Sequence, residues 1–209
     1  MESTRTNGAI SAQEEFFYPD MALAPLPAEL HLAMPRNGRP GVQLLVETDE
    51  PRLTASLESA DFTPEFFCEL AVPVEYNTGD GVEQGGAMVL ESRPAQKPSY
   101  ATRLAPFAVY DCLKPAPGGH IEAENGRAAL YLCLCPRPDI RPGEHHALLR
   151  LGAYCCRLVI RVYGVEIPQD AFPVTNWFSL ESICRFHHLE PDTPTFYEMV
   201  RQYARAMRR

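Results

Sequence analysis

AALYLCLCPRPDIRPGEHHALLRLGAYCCRLVIRVYGVEIP, Ala128 to Pro168, decides the fold. Ala128 to Cys135 is a dense run of small and branched apolar residues, ended by Pro136. Arg141-Pro142-Gly143 is a turn signal. His146 to Leu151 and Tyr154 to Tyr163 then read as two arms of a hairpin around Gly152. In the second arm Cys156, Leu158, Ile160 and Val162 share one face, and Arg157, Val159, Arg161 and Tyr163 the other. A period of two over ten residues is the signature of a strand with one face buried.

The same grammar extends toward the N-terminus. Leu30, Leu32 and Met34 alternate within Glu29 to Met34, and Asn37-Gly38 and Pro40-Gly41 turn the chain. Val42 to Glu47 is a second strand, and Leu53, Ala55 and Leu57 alternate in a third. Phe67 to Tyr76 is longer and carries Pro73, which implies a sheet edge or a bulge. Asn77 to Gly86 and Glu91 to Ala101 are polar loops, and Pro106 to Leu113 returns to strand. About eight or nine short strands with no helix between them predict a mainly β fold, an antiparallel β-sandwich. Its expected bounds are residues 16–170, after a flexible lead-in at 1–15.

Beyond Pro168 to Pro173 the period changes. Val174 to Phe178 is a short strand-like piece, and Ser179 caps a helix with Leu180, Ile183 and Cys184 on one side. Thr193 is an N-cap and Pro194 the first residue of a last helix. Phe196, Met199, Val200, Tyr203, Ala204 and Met207 fall on one face of it. This short C-terminal α-helical segment, with an apolar stripe at the end of the chain, predicts an architecture that continues.

Composition excludes several classes. A formal charge of −8 and a pI near 5.3 argue against a nucleic-acid partner. No apolar run approaches the ~18 residues of a membrane span, and MESTRTNGAISAQEE has neither the apolar core nor the cleavage site of a secretory signal. With seven cysteines, an odd count, reduced thiols in a cytoplasmic setting are expected.

Three stretches together resemble one family. PRNGRPGVQLLVE (Pro35 to Glu47) is similar to the strand pair near the start of its first domain. Ala129 to Pro168 resembles its aromatic-rich strand, Pro-Gly turn and closing hairpin. PVTNWFSLESICRFHHLEP (Pro173 to Pro191) resembles the pattern that opens its barrel. The family is the glycoside hydrolase family 123-like proteins, in which a β-sandwich precedes a catalytic (β/α)8 barrel. Its characterised members are β-N-acetylgalactosaminidases. The resemblance implies that residues 171–209 are the first strand and helices of a truncated barrel. It also implies substrate-assisted chemistry, in which the acetamido oxygen attacks C1 while adjacent Asp and Glu residues orient the amide and protonate the leaving oxygen. That pair lies on a later barrel strand, and no position here aligns with it, so no catalytic residue is expected in this chain.

The resemblance also places Asn176 and Trp177 at the rim of the active site, as substrate-binding residues. Trp can stack on a sugar and Asn can bond its hydroxyls; packing at a domain junction is the commoner fate of a lone Trp. Other clusters point to no metal and no cofactor. Cys133, Cys135, Cys155 and Cys156 lack paired C-x-x-C spacing, and Cys133 and Cys135 share a strand face as small core residues would. Adjacent histidines on a strand, His145-His146, cannot chelate together, so loop or surface histidine is expected there and at His187-His188. Asp80 and Glu83 lack the EF-hand spacing. Two functions fit. One is the non-catalytic sandwich portion of a family 123-like protein, supporting a barrel absent from this chain. The other is a stand-alone glycan-binding or protein-interaction module. Expected partners are an amino-sugar glycan, and either the barrel or a second copy of the chain against the last helix.

Overall fold

A computed structural model describes residues 6–13, 15–75, 97, 101–168 and 179–207. The chain divides into two compact units, Met1–Ile167 and Pro168–Arg209. The first is built from β1 (Asn7–Ser11), β2 (Ala24–Pro25), β3 (Glu29–Pro35), β4 (Gly41–Glu47), β5 (Arg52–Glu58), β6 (Phe62–Val74), β7 (Phe107–Pro115), β8 (His120–Glu124), β9 (Arg127–Pro136), β10 (Gly143–Leu151) and β11 (Tyr154–Tyr163). The second holds α1 (Leu180–His187) and α2 (Pro194–Met207).

The fold is mainly β, and its strands form two packed layers. One layer runs β2-β1-β4-β9, with β6 along the other edge of β9 and β7 outside β6. The other runs β5-β10-β11-β3. Alternation puts Val42, Leu44 and Val46 of β4 and Leu130, Leu132 and Leu134 of β9 inside. They meet Leu149 and Leu151 of β10 and Leu158, Ile160 and Val162 of β11 in one core. The face expected of the second hairpin arm is the buried one: Cys156, Leu158 and Ile160 have no exposed surface.

Three features depart from the sequence reading. Residues 7–11 are not a flexible lead-in; they are β1, paired with β4 from Gly8↔Val46 to Ser11↔Gln43. The sheet is mixed rather than wholly antiparallel, because β3 lies parallel to β11 from Arg157↔Glu29 to Tyr163↔Pro35. Finally, β8 has no strong hydrophobic pattern, yet it joins the layers. It pairs with β5 over Arg52↔Glu122 to Thr54↔His120, and with β9 over Ala123↔Ala128 and Glu124↔Arg127. Its Ile121 has no exposed surface. The bulge expected from Pro73 lies close by, where the β6–β7 register shifts between Leu70 and Ala71.

In the second unit the caps are those expected. Ser179 Oγ accepts from the Ser182 amide at 3.2 Å, and Thr193 Oγ1 accepts from the Phe196 amide at 3.2 Å. Ile183 and Phe196 are buried, while His187 Nε2 and the Tyr203 hydroxyl, 2.9 Å apart, join α1 to α2. The apolar stripe of α2 is poorly covered: Tyr203 is 37% exposed and Met199 and Val200 are half-buried. The strand-like piece Val174 to Phe178 and the loops Asn77 to Gly86 and Glu91 to Gln96 lie outside the described residues. No helix among the described residues is long and apolar enough to cross a membrane.

Truncating Ile121 removes the only fully enclosed side chain of the strand that joins the layers. Ile121→Ala should lower the unfolding free energy by about 2–4 kcal/mol, read as a drop in denaturant midpoint at constant slope. Removing the exposed side chain next to it, His120→Ala, should change stability by no more than about 0.5 kcal/mol.

Candidate functional site

The outer face of the first layer is partly roofed by the chain that follows β1. Phe17, 1% exposed, packs there on Leu45, Tyr110 and Ala129. The Tyr110 amide donates to the Phe17 carbonyl at 2.9 Å, and Arg127 Nη1 donates to the Met21 carbonyl at 2.9 Å. These bonds hold the segment across β4, β9 and β7. Beside it opens a cavity of about 620 Å³, framed by Phe16, Gln43, Glu69, Tyr110, Asp111 and Tyr131. That volume is within the ~300–1,000 Å³ of small-molecule sites.

Each wall residue has a local cause. Gln43 of β4, Glu69 of β6 and Tyr131 of β9 sit at outward positions of their strands, opposite in sense to the buried Leu44, Cys68 and Leu130. Asp111 is the extra residue of the bulge, since Leu70 pairs with Cys112 and Ala71 with Tyr110. A bulge re-aims the side chain it carries. Tyr131 leans across Gly41, where any Cβ would collide with the phenol. Phe67 meets the Tyr131 ring edge-on at 6.2 Å.

Glu69 is the chemically exceptional group. It is only 5% exposed, and its Oε2 is sealed from solvent with no hydrogen-bond partner among the described residues. Burial pushes its carboxyl up to about 7; a hydrogen bond from the Gln43 side chain opposes this and the nearby Asp111 charge reinforces it. Burial likewise raises the Tyr110 phenol. A carboxyl poised near neutrality resembles a general acid. Here one carboxylate oxygen, Oε2, is sealed off while the residue lines the cavity. The arrangement offers a binding cavity with aromatic edges and amide and carboxyl groups.

A second, smaller cleft surrounds His145, on the opposite layer from this cavity. The imidazole is fully engaged: Nδ1 lies 2.8 Å from Asp61 Oδ2 and Nε2 lies 2.8 Å from the Arg141 carbonyl. Burial would lower its pKa, but the Asp61 and Arg141 hydrogen bonds prevail and hold it above the usual value. With both nitrogens occupied, it is a structural clasp rather than a free base.

Asn176 and Trp177 lie outside the described residues, as do Asp80 and Glu83. His145 and His146 are on β10, not in a loop; they face opposite ways and do not converge. The four cysteines also divide. Cys156 is in the core and Cys155 opposite it, while Cys133 and Cys135 lie on the outer face of β9, not in the core as expected. Glu69 is the one polar residue of FCELAV, and that break in an apolar run is the only signal of it in the sequence. The residues from Ser11 to Phe16 that line the cavity with it come from a distant part of the chain, which periodicity does not reveal.

No family model matches the chain, and no curated protein matches it. Among solved structures, the chain is similar to a family 123 glycoside hydrolase from Clostridium perfringens, studied for glycolipid glycan hydrolysis. The TM-score is 0.67 at 12% identity, over 97% of this chain and 36% of that one. The likeness is one of fold, and the chain spans about a third of that protein's length.

Glu69 makes stability fall with rising pH. Its carboxyl loses a proton near 4.5 when unfolded but near 7 when folded. Between these values the native state binds more protons, so stability declines from about pH 4.5 and levels off above about pH 7. The loss from this group is at most about 3 kcal/mol. Glu69→Gln should remove that decline, making the variant more stable than wild type at pH 8 but not at pH 4.5, as measured by chemical denaturation.

Proposed function

We propose that this chain is the N-terminal, non-catalytic β-sandwich portion of a glycoside hydrolase family 123-like protein, supporting a barrel that it does not contain. The observation that carries this reading is the fold likeness over 97% of the chain to 36% of a family 123 hydrolase. The poorly covered stripe of α2 supports it, because Met199, Val200 and Tyr203 form an apolar face of the kind a following barrel element would cover. Seven free cysteines suit the reducing conditions of the cytoplasm.

A glycan contact belongs to the same proposal. Asn176 and Trp177 would meet an amino sugar from the barrel rim. The cavity on the sandwich offers a second place, where Tyr131 and Phe16 present apolar ring surface beside Gln43 and Asp111.

The reading is tested by hydrolysis of an aryl N-acetyl-β-galactosaminide. The chain alone should show no turnover, and a polypeptide continuing into an in-frame barrel with an adjacent Asp-Glu pair should show it. Turnover by the 209 residues alone would overturn the assignment. N-acetylgalactosamine added to the labelled chain should shift the amide signals of Gln43 and Tyr131. Unmoved signals at millimolar sugar would remove the cavity from the glycan path.

A further inference from the structure

The outward face of β9 runs Ala129, Tyr131, Cys133, Cys135, one step beyond the cavity. Residues two apart on a strand point the same way, so both thiols leave the sheet on one side. The neighbouring strand β6 brings Glu65 directly opposite Cys133. The strand on the other side places Gly41 opposite Cys133, and the Tyr131 phenol covers that glycine. Cys133 Sγ, Cys135 Sγ and a Glu65 carboxylate oxygen lie within 4.8 Å of one another.

We propose that Cys133, Cys135 and Glu65 bind a zinc-class divalent cation, with the fourth position of a tetrahedron open to solvent. The donor set is two soft sulfurs and one oxygen, which suits a borderline-soft ion and not calcium or magnesium. Bonds of about 2.3 Å to sulfur and about 2.1 Å to oxygen require the donors to close by about 1 Å. Half-exposed side chains can make that adjustment by rotation: Cys133 and Cys135 are half-buried and Glu65 is exposed.

Charge supports the site. Two thiolates and a carboxylate around a divalent ion leave one net negative charge. The Arg39 guanidinium, 4.0 Å from Glu65, supplies the compensating positive charge. Binding is balanced by loss of two thiol protons to solvent, one from each cysteine.

Oxidation is the poorer alternative for this pair. Strand residues two apart are about 6.7 Å apart at Cα, at the far limit of disulfide geometry, about 6.8 Å. Chelation needs no such approach of the backbone. An ion here would cross-link β6 to β9 on the solvent side, beyond the Phe67–Tyr131 ring contact.

Cobalt(II) titration of the reduced full chain tests the site. The expected result is one equivalent bound per chain, with a near-ultraviolet thiolate-to-cobalt charge-transfer band of two Co–S bonds, abolished by added zinc(II). The double variant Cys133→Ser/Cys135→Ser should lose the band, and Glu65→Gln should weaken affinity at least about tenfold. Cys112→Ser, at an exposed thiol on β7, should leave binding unchanged. Circular dichroism checks that each variant is folded. Absence of the band in the wild type, or its persistence in the double variant, overturns the proposal. If the double variant does not fold, Glu65→Gln decides, and an unchanged cobalt affinity in that variant overturns it.

Discussion

The backbone of one five-residue strand holds the two layers together. β8 gives its first half to β5 and its last two residues to β9, so neighbouring peptide groups serve opposite walls of the sandwich. A sheet that continues around a corner in this way has no free edge at that side, and its backbone donors there find acceptors on both walls. The Leu-rich interior depends on it. Leu53 and Ala55 of β5, Ile121 of β8 and Ala128 and Leu130 of β9 line the inside of the bend. Among the described residues the layers share no other strand pairing.

The outer face of the first layer answers a different constraint. Sheets in a sandwich can leave one side in water, but here the segment carrying Phe17 lies across β4, β7 and β9. The covering is partial. Glu69 is buried in the sheet face beside the hollow, which stays open. A buried carboxyl is costly when ionised, and its proton affinity rises accordingly. Tyr131, Cys133 and Cys135 follow one another along the outer face of β9, all half-buried, with Tyr131 in the cavity wall.

The repeating elements were legible in the sequence because their periods were strong. β3, β4, β5, β9, β10 and β11 carry runs of alternating or continuous apolar residues, and both helices carry a cap that the side chains themselves announce. The elements that escaped are those whose stability is not their own. NGAIS and HIEAE are too short and too polar to signal a strand, and each exists because a partner strand supplies the hydrogen bonds. The parallel pairing of β3 with β11 left no mark either, since alternation tells which face is buried and not which way a neighbour runs. The site was less legible than the fold. Glu69 is unusual through a burial that only the folded sheet face creates, and Cys133 showed a period of two without showing which face was the inner one.

The parallel register of β3 on β11 has a consequence for how the molecule is made. Glu29 finds its neighbour Arg157 across a separation of 128 positions, and the ion pair between them forms at the same seam. A ribosome releases the chain from its N-terminus, so β3 emerges long before its partner exists. Until Tyr163 has cleared the exit tunnel, a strand bearing Leu32 and Met34 must wait with its edge unpaired. Late closure of so distant a pairing makes assembly slow relative to a helical chain of equal length. It also makes the nascent sandwich a natural client for chaperones that shield exposed strand edges.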